Sequence, residues 1–246
     1  MCSSDLGRPL ECRLFPERAR GFEDIRIFRY RDRWFGVGCL PEIGATGGGF
    51  GFKGNIMQLI SFGTDFRVEG AVPIPSPYGA NWEKNWVPFC KENALLLVYR
   101  PSPLDALTLD FEARKIRSAH KAASPAKTVS DRSPWPEAGQ HAWSGSSQIV
   151  PYENGVYLGV IHRKFIFADQ IVLEHAFIRI GENFSAEISR PFHFLTYGIE
   201  FCGGLIARAD DVVLAFGSHN DSRAYVATLG REAVAGLFSP AGDRTG

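Results

Sequence analysis

Acidic side chains recur at regular intervals along this chain, each at the start of a short apolar segment. Glu23 and Asp24 open the first segment, Glu83 opens the second, Ser144 holds the equivalent position in the third and Glu200 opens the fourth. Counted from Glu23, successive openings are 60, 61 and 56 residues apart. Cleavage or transfer of a glycosidic bond needs a protonated carboxyl group as acid and a second carboxylate nearby. Crowding of like charges raises the pKa of one such group, as the acid role requires. Carboxyl groups that meet in one site would therefore have the chemistry of a glycoside-processing centre.

The segments that follow these openings have the pattern of β-hairpins. Residues 25–30 alternate between apolar and polar or aromatic side chains, a polar turn follows at 31–33, and the chain returns as Trp34-Phe35-Gly36-Val37. Asn154-Gly155 between two apolar runs is the strongest hairpin signal in the sequence. The run Leu95-Leu96-Leu97-Val98 is apolar on both faces, which predicts a strand covered on both sides. No helical periodicity is evident anywhere, so the sequence predicts an all-β fold.

The hairpins belong to four repeats, which begin near residues 21, 82, 143 and 198. A strand-rich repeat of this length is typical of a β-propeller, and we expect a single propeller domain over residues 1–246. Residues 1–20 do not match the repeats. They are interpreted either as part of a further, incomplete blade or as a cloning or assembly scar.

Composition limits the kinds of partner that the protein can bind. The chain has 27 basic and 27 acidic residues, so no charge excess favours nucleic acid or an anionic membrane. The sequence contains neither a long apolar run nor the apolar core of a signal peptide, and we expect a cytoplasmic protein. Its five cysteines are odd in number and scattered, which argues against a disulfide framework and a zinc site. We therefore expect no metal and no cofactor.

In a β-propeller the first strand of each blade lines a central channel, so the openings of the four repeats are expected to converge on one concave site. The candidate catalytic residues are Asp24, Glu83 and Glu200. The candidate substrate-binding residues are Glu23, Arg26, Lys84, Asn85, Trp86, Ser144, Ser146, His162 and Arg163.

Purely structural roles, without contact to a substrate, remain open for several of these residues. Asp24 and Arg26 lie two positions apart, share a strand face and are also compatible with a structural pair. The pair Glu83-Lys84 also fits a solvated strand entry. His162 also fits a hydrogen-bonded histidine of structural type.

The segment Gly21 to Phe28, GFEDIRIF, resembles the Glu-Asp-Pro-Arg motif of five-bladed propeller carbohydrate enzymes. These are the family-43 and family-32 glycosidases and especially the family-130 mannoside phosphorylases and related propeller mannosyltransferases. The segments EKNWVPF (83–89) and SGSSQIVPYENGVYLGVIHR (144–163) look like the corresponding blade openings. Ile25 stands where the family pattern usually has proline. The resemblance implies a five-bladed β-propeller whose N-terminal blade is incomplete in this chain.

Carried over by motif, the resemblance implies that Asp24 is the acid and that Arg26 lies beside it in the site. Glu83 or Glu200 would then be the second carboxylate. Hydrolysis, phosphorolysis and glycosyl transfer share this architecture and stay open, with mannosides favoured as substrates.

The expected partner is a carbohydrate, either alone or together with phosphate or a sugar nucleotide. A phosphorylated co-substrate would need cations, for which Arg26, Lys84, His162 and Arg163 are candidates. The alternative to an enzyme is a non-catalytic propeller that binds a glycan or a protein in the same channel.

Overall fold

The structure is a computed structural model and describes residues 21–46, 49–113, 115–129 and 142–239. Most of these residues form antiparallel β-sheets, each of which is one blade. Blade 1 consists of β1 (Glu23–Tyr30), β2 (Arg33–Thr46), β3 (Gly49–Phe62) and β4 (Val68–Pro73). Blade 2 consists of β5 (Val87–Lys91), β6 (Ala94–Pro101), β7 (Leu104–Asp110) and β8 (Lys115–Lys121).

Blade 3 combines strands from two parts of the chain. It contains β10 (Ser144–Gly145), β11 (Val150–Glu153), β12 (Val156–Phe167), β13 (Gln170–Gly181) and β14 (Ala186–Ile188). The short strand β9 (Lys127–Thr128) pairs in parallel with β14 at its edge. Blade 4 consists of β15 (Phe201–Ala207), β16 (Asp211–Ser218) and β17 (Arg223–Gly230), and helix α1 (Arg231–Leu237) follows it.

Tight turns set the register of the hairpins as the sequence predicted. Arg31 and Asp32 join β1 to β2, both with positive φ, which suits the right-handed twist of the two strands. Asn154-Gly155 joins β11 to β12, and Gly155 has a φ of 71°. Both predicted hairpins are therefore confirmed.

Apolar side chains hold neighbouring blades together through three core clusters. Leu95 and Leu97 face blade 1 and pack in the first cluster, whereas Leu96 and Val98 face blade 3 and pack in the second. The third cluster joins blade 3 to blade 4 and includes Phe216. The prediction that the strand at 95–98 is covered on both faces is confirmed, because alternate side chains of β6 enter different clusters.

Two fold predictions need correction. The described residues form four blades rather than the five that the resemblance implied, and these four blades correspond to the four sequence repeats. The predicted incomplete blade falls on residues 1–20, which lie outside the described residues. The prediction that the chain contains no helix was also wrong, since α1 spans Arg231–Leu237. Only Val234 of this helix is buried, so seven residues carry too little periodicity to reveal it.

The helix found in the described residues is neither long nor apolar enough to cross a membrane.

Candidate functional site

Asp24 lies at an irregular point near the start of β1. The pairing of β1 with β2 shifts register between Glu23 and Arg26, and Asp24 has a φ of 53°. Aspartate tolerates this left-handed conformation better than most residues, and a bulge re-aims side chains that regular alternation would place elsewhere. The carboxylate of Asp24 lines a cavity between blade 1 and blade 4.

Lys84 brings the charges of the first two blades together. Its Nζ lies 3.2 Å from Asp24 Oδ2 and 3.8 Å from Glu23 Oε2. Partial burial lowers the pKa of Lys84, but the charges of Asp24 and Glu23 more than offset this, so the pKa lies above its ordinary value. The structure thus places these three candidates of the sequence analysis in one cluster.

The cavity contains a second carboxyl group, Asp221, which the sequence analysis did not single out. Asp221 lies in the loop between β16 and β17, with a φ of 60°. Partial burial and the negative charge of Asp24 raise the pKa of Asp221, and Lys84 opposes this effect. The cavity has a volume of about 630 Å³ and is open to solvent. Two interacting carboxyl groups therefore share one accessible space.

The remaining walls of the cavity are largely apolar. They come from β1, from Gln148 of blade 3 and from all three strands of blade 4, and the apolar members include Ile25, Ile27, Phe201, Phe216, Tyr225 and Val226.

Arg26 lies beneath this cluster and is completely buried. Its Nε donates to Ser146 O at 2.7 Å, and Nη1 donates to Asp24 O at 2.6 Å. Its Nη2 donates to Asn85 Oδ1 at 3.0 Å and to Gly145 O at 3.3 Å. Arg26 and Asn85 were both predicted to bind substrate; the structure bonds them to each other, and the guanidinium has no surface that faces the cavity.

His162 is also buried. Its Nδ1 lies 2.7 Å from Ser146 Oγ and shares a hydrogen bond with it. Burial, assisted by the positive charge of Arg26, lowers the pKa of His162 to about 3. The ring is therefore neutral at physiological pH, and it cannot supply a positive charge to a phosphate group.

His175 lies opposite His162 in the pairing of β12 with β13. Burial lowers the pKa of His175 well below its ordinary value, and burial also lowers the pKa of His193. The folded state therefore disfavours the protonation of three histidines.

These histidines should make the protein less stable in mild acid. Between pH 6.5 and the lowered folded pKa, unfolded histidine binds a proton that the folded form excludes, so the free energy of unfolding decreases as the pH falls. For His162 alone, the decrease from pH 7 to pH 5 should be about 2 kcal/mol. Urea denaturation at pH 7, 6 and 5 measures this decrease in the free energy of unfolding. The His162→Gln variant should show a shallower pH dependence, and a slope equal to that of the wild type would contradict this assignment.

Glu200 has a set of contacts that belongs to a structural carboxylate. It is fully buried, and it accepts hydrogen bonds from the backbone N–H groups of Phe194, Leu195 and Thr196 at 2.7, 3.0 and 3.1 Å. The Ser218 hydroxyl donates a further bond at 2.6 Å. Glu200 does not line the cavity, and these contacts favour a role in fixing the loop that precedes β15.

Glu83 is likewise directed into the protein. It accepts hydrogen bonds from the Ser76 hydroxyl and from Trp86 Nε1, the latter at 3.0 Å. Trp86 is fully buried in the cluster between blades 1 and 2 and packs edge-on against Tyr99. The structure therefore does not bring Glu83 to the cavity beside Asp24, and it places Trp86 where no sugar ring can stack on it.

Arg163 lies on the other face of β12 from His162, because neighbouring strand residues point in opposite directions. Its Nε donates to Glu174 Oε2 at 2.7 Å, and its guanidinium lies over the Trp143 ring at 4.6 Å. Both charged groups are buried. These contacts place Arg163 inside blade 3 rather than in the cavity.

The two candidate serines differ in position. Ser146 is buried and bonded to both Arg26 and His162. Ser144 is partly exposed and lies opposite His162 in the pairing of β10 with β12. Neither serine lines the cavity.

The cysteines of the described residues are unsuited to nucleophilic chemistry. Burial raises the pKa of Cys39 and of Cys90 to about 11 and that of Cys202 to about 12. All three thiols are therefore protonated at neutral pH.

Solved structures with a similar chain path were found at low sequence identity. The β-1,2-mannobiose phosphorylase from Listeria innocua matches over 89% of this chain and 60% of its own, with a TM-score of 0.57 and 14% identity. A GDP-Man-dependent mannosyltransferase from Leishmania mexicana matches over 85% of this chain and 68% of its own, with a TM-score of 0.56 and 12% identity. This chain therefore spans less than two thirds of the length of the phosphorylase. The fold is that of a β-propeller.

An exo-1,5-α-L-arabinanase from a bovine ruminal metagenomic library has the same fold. It matches over 83% of this chain and 72% of its own, with a TM-score of 0.50 and 11% identity. The sequence itself matches no family model and no curated protein. At these identities the likeness concerns the propeller architecture alone.

Proposed function

We propose that this propeller is a carbohydrate-active enzyme that cleaves or transfers a glycosidic bond at Asp24 and Asp221. The observation that carries the proposal is that these two carboxyl groups line one open cavity and interact electrostatically, with Lys84 beside them. A pair of carboxyl groups held in different environments is the arrangement that glycoside chemistry uses. The likeness to propellers that include a phosphorylase, a mannosyltransferase and an arabinanase supports the same class.

The two groups are suited to different roles. The raised pKa of Asp221 makes it the better holder of a proton, so we assign it the acid role. Asp24 forms an ion pair with Lys84 and is assigned the role of the ionised carboxylate. This division replaces the sequence-based expectation that Asp24 is the acid and that Glu83 or Glu200 is its partner.

The charges around the pair favour a neutral acceptor. Glu23 and Asp24 contribute two negative charges, whereas Lys84 contributes one positive charge, and Asp221 adds a further negative charge whenever it has lost its proton. Of the four cations considered for phosphate, Arg26 and Arg163 are buried with partners and His162 is neutral. A dianion would meet net repulsion here, so we propose water or a sugar hydroxyl, rather than phosphate, as the acceptor.

A substrate screen tests the proposal. Mannobioses, arabinan oligosaccharides and xylan oligosaccharides are incubated with the purified protein, with and without inorganic phosphate and with sugar nucleotides. We expect sugar release or oligosaccharide transfer that is independent of phosphate. Formation of a sugar 1-phosphate would contradict the proposed acceptor, and glycan binding without turnover would assign the protein to the non-catalytic class.

A further inference from the structure

The guanidinium of Arg26 is bonded to acceptors from distant parts of the chain. It donates to Asp24 O in blade 1, to Asn85 Oδ1 in the segment that leads into blade 2, and to Gly145 O and Ser146 O at the start of blade 3. Its Cζ atom lies 4.9 Å from the centroid of the Phe201 ring, which belongs to blade 4. A single side chain thus contacts blades 1, 3 and 4 and the segment that leads into blade 2, and each of its three guanidinium nitrogens donates a hydrogen bond.

All four acceptors of Arg26 are uncharged carbonyl or amide oxygens, so the positive charge of the guanidinium is buried without a directly bonded carboxylate. Burial lowers the pKa of Arg26 to about 10, so the group remains protonated at neutral pH. A buried guanidinium is costly to maintain unless its donors are satisfied. The planar fork suits carbonyl oxygens that approach from different directions, which a lysine ammonium cannot reproduce with the same geometry.

The bond from Arg26 to Asp24 O acts on the backbone of the candidate catalytic residue. Asp24 has a φ of 53°, and single residues held in this region typically need support from their surroundings. The carbonyl of Asp24 is fixed by Nη1 at 2.6 Å. This peptide group and the Asp24 side chain are attached to the same Cα, so a hydrogen bond that holds the peptide group also restricts the direction in which the side chain leaves the backbone. The carboxylate lies 3.2 Å from Lys84 Nζ.

We propose that Arg26 is a positioning residue that fixes Asp24 through its main-chain carbonyl and does not touch the substrate. This inference rests on the proposed function only for its kinetic consequence. The role differs from the substrate contact that the sequence motif implied for Arg26.

The first test is the Arg26→Lys variant, with Arg29→Lys as a control on the same strand. Lysine keeps the charge but cannot make four bonds, so we expect kcat to fall at least about tenfold while KM stays within about twofold. Arg29 is exposed and bonded to Asp32, and its replacement should leave both parameters unchanged. A rise in KM with unchanged kcat would overturn the proposal, because it would make Arg26 a substrate ligand.

The Asn85→Gly variant provides a milder test if Arg26→Lys does not fold. Asn85 has a φ of 64°, which glycine adopts without strain, so the change removes one acceptor of Arg26 and little else. We expect kcat to fall about threefold to tenfold with KM unchanged. An increase in KM alone would make Asn85 a substrate ligand and would count against the positioning network.

Structure determination of either variant decides the question without any activity. We expect the distance between Asp24 Oδ2 and Lys84 Nζ to exceed 4 Å in Arg26→Lys, compared with 3.2 Å in the native protein. An unchanged position of the Asp24 carboxylate would overturn the proposal. If no glycoside is turned over by the native protein, the proposed function fails, whereas this distance still decides the role of Arg26.

Discussion

Replacing Asp24 or Asp221 with asparagine is expected to reduce turnover about 10²-fold to 10⁴-fold, the range that acid–base groups contribute. Asparagine keeps the size of the side chain and tolerates the positive φ of both residues, so the loss should come from the missing charge or proton. Initial rates are measured on the best glycoside of the screen, and binding is measured by calorimetry. We expect binding to change little.

Asp169→Asn is the matched control for both variants. Asp169 lies in the exposed turn between β12 and β13 and has a φ of 61°, so the same substitution is made in a similar backbone conformation away from the cavity. Its activity should equal that of the native protein. Full activity of Asp24→Asn would exclude acid–base chemistry at this residue, and full activity of Asp221→Asn would remove it from the carboxyl pair.

The architecture could be predicted from local signals. Turn residues at 31–32 and 154–155 and alternating apolar side chains fix hairpins through interactions between close neighbours in the sequence. The apolar run at 95–98 also predicted that neighbouring blades cover its strand. The number of blades could not be predicted from such local signals. The prediction of five blades came from the family resemblance, whereas the described residues form four.

The candidate site was less predictable because the partners of a carboxylate come from distant or irregular segments. Glu83 and Glu200 occupy repeat positions equivalent to the Glu23 and Asp24 opening. However, Glu83 meets Ser76 and Trp86, and Glu200 meets three consecutive backbone N–H groups and Ser218. Equivalent position along a repeat therefore did not imply equivalent exposure. Hydrogen-bond donors nearby decided which acids face the cavity.

The sequence did not identify Asp221 as a site residue, because its loop has the composition of an ordinary turn. His219, Asn220 and Asp221 all have positive φ, and polar residues of this kind commonly occur in turns for conformational reasons. Nothing in the sequence shows that the loop of the last blade faces Asp24 in the first. The only available signal was a polar loop between two apolar strands of the fourth repeat.

Glu200→Gln tests whether the buried carboxylate is structural. Oε1 of Glu200 accepts bonds from Leu195, Thr196 and Ser218, and Oε2 accepts one from Phe194 and a longer one from Leu195 at 3.4 Å. Glutamine would place an NH₂ group against at least one of these donors. Since bonds to a charged acceptor contribute roughly 1.5–3 kcal/mol, and a buried donor without a partner costs a similar amount, we expect the free energy of unfolding to fall by about 2–4 kcal/mol.

Urea denaturation at pH 7 measures this loss of stability. The matched control is Glu153→Gln, at an exposed position of β11, for which we expect a change below about 0.5 kcal/mol.

Kinetic measurements distinguish a structural role of Glu200 from a catalytic one. In conditions where the variant is folded, a structural carboxylate should leave kcat within a few-fold of the native value, because it lies outside the cavity. A Glu200→Gln protein that is as stable as the native one but inactive would restore Glu200 as the second catalytic carboxylate and displace Asp221.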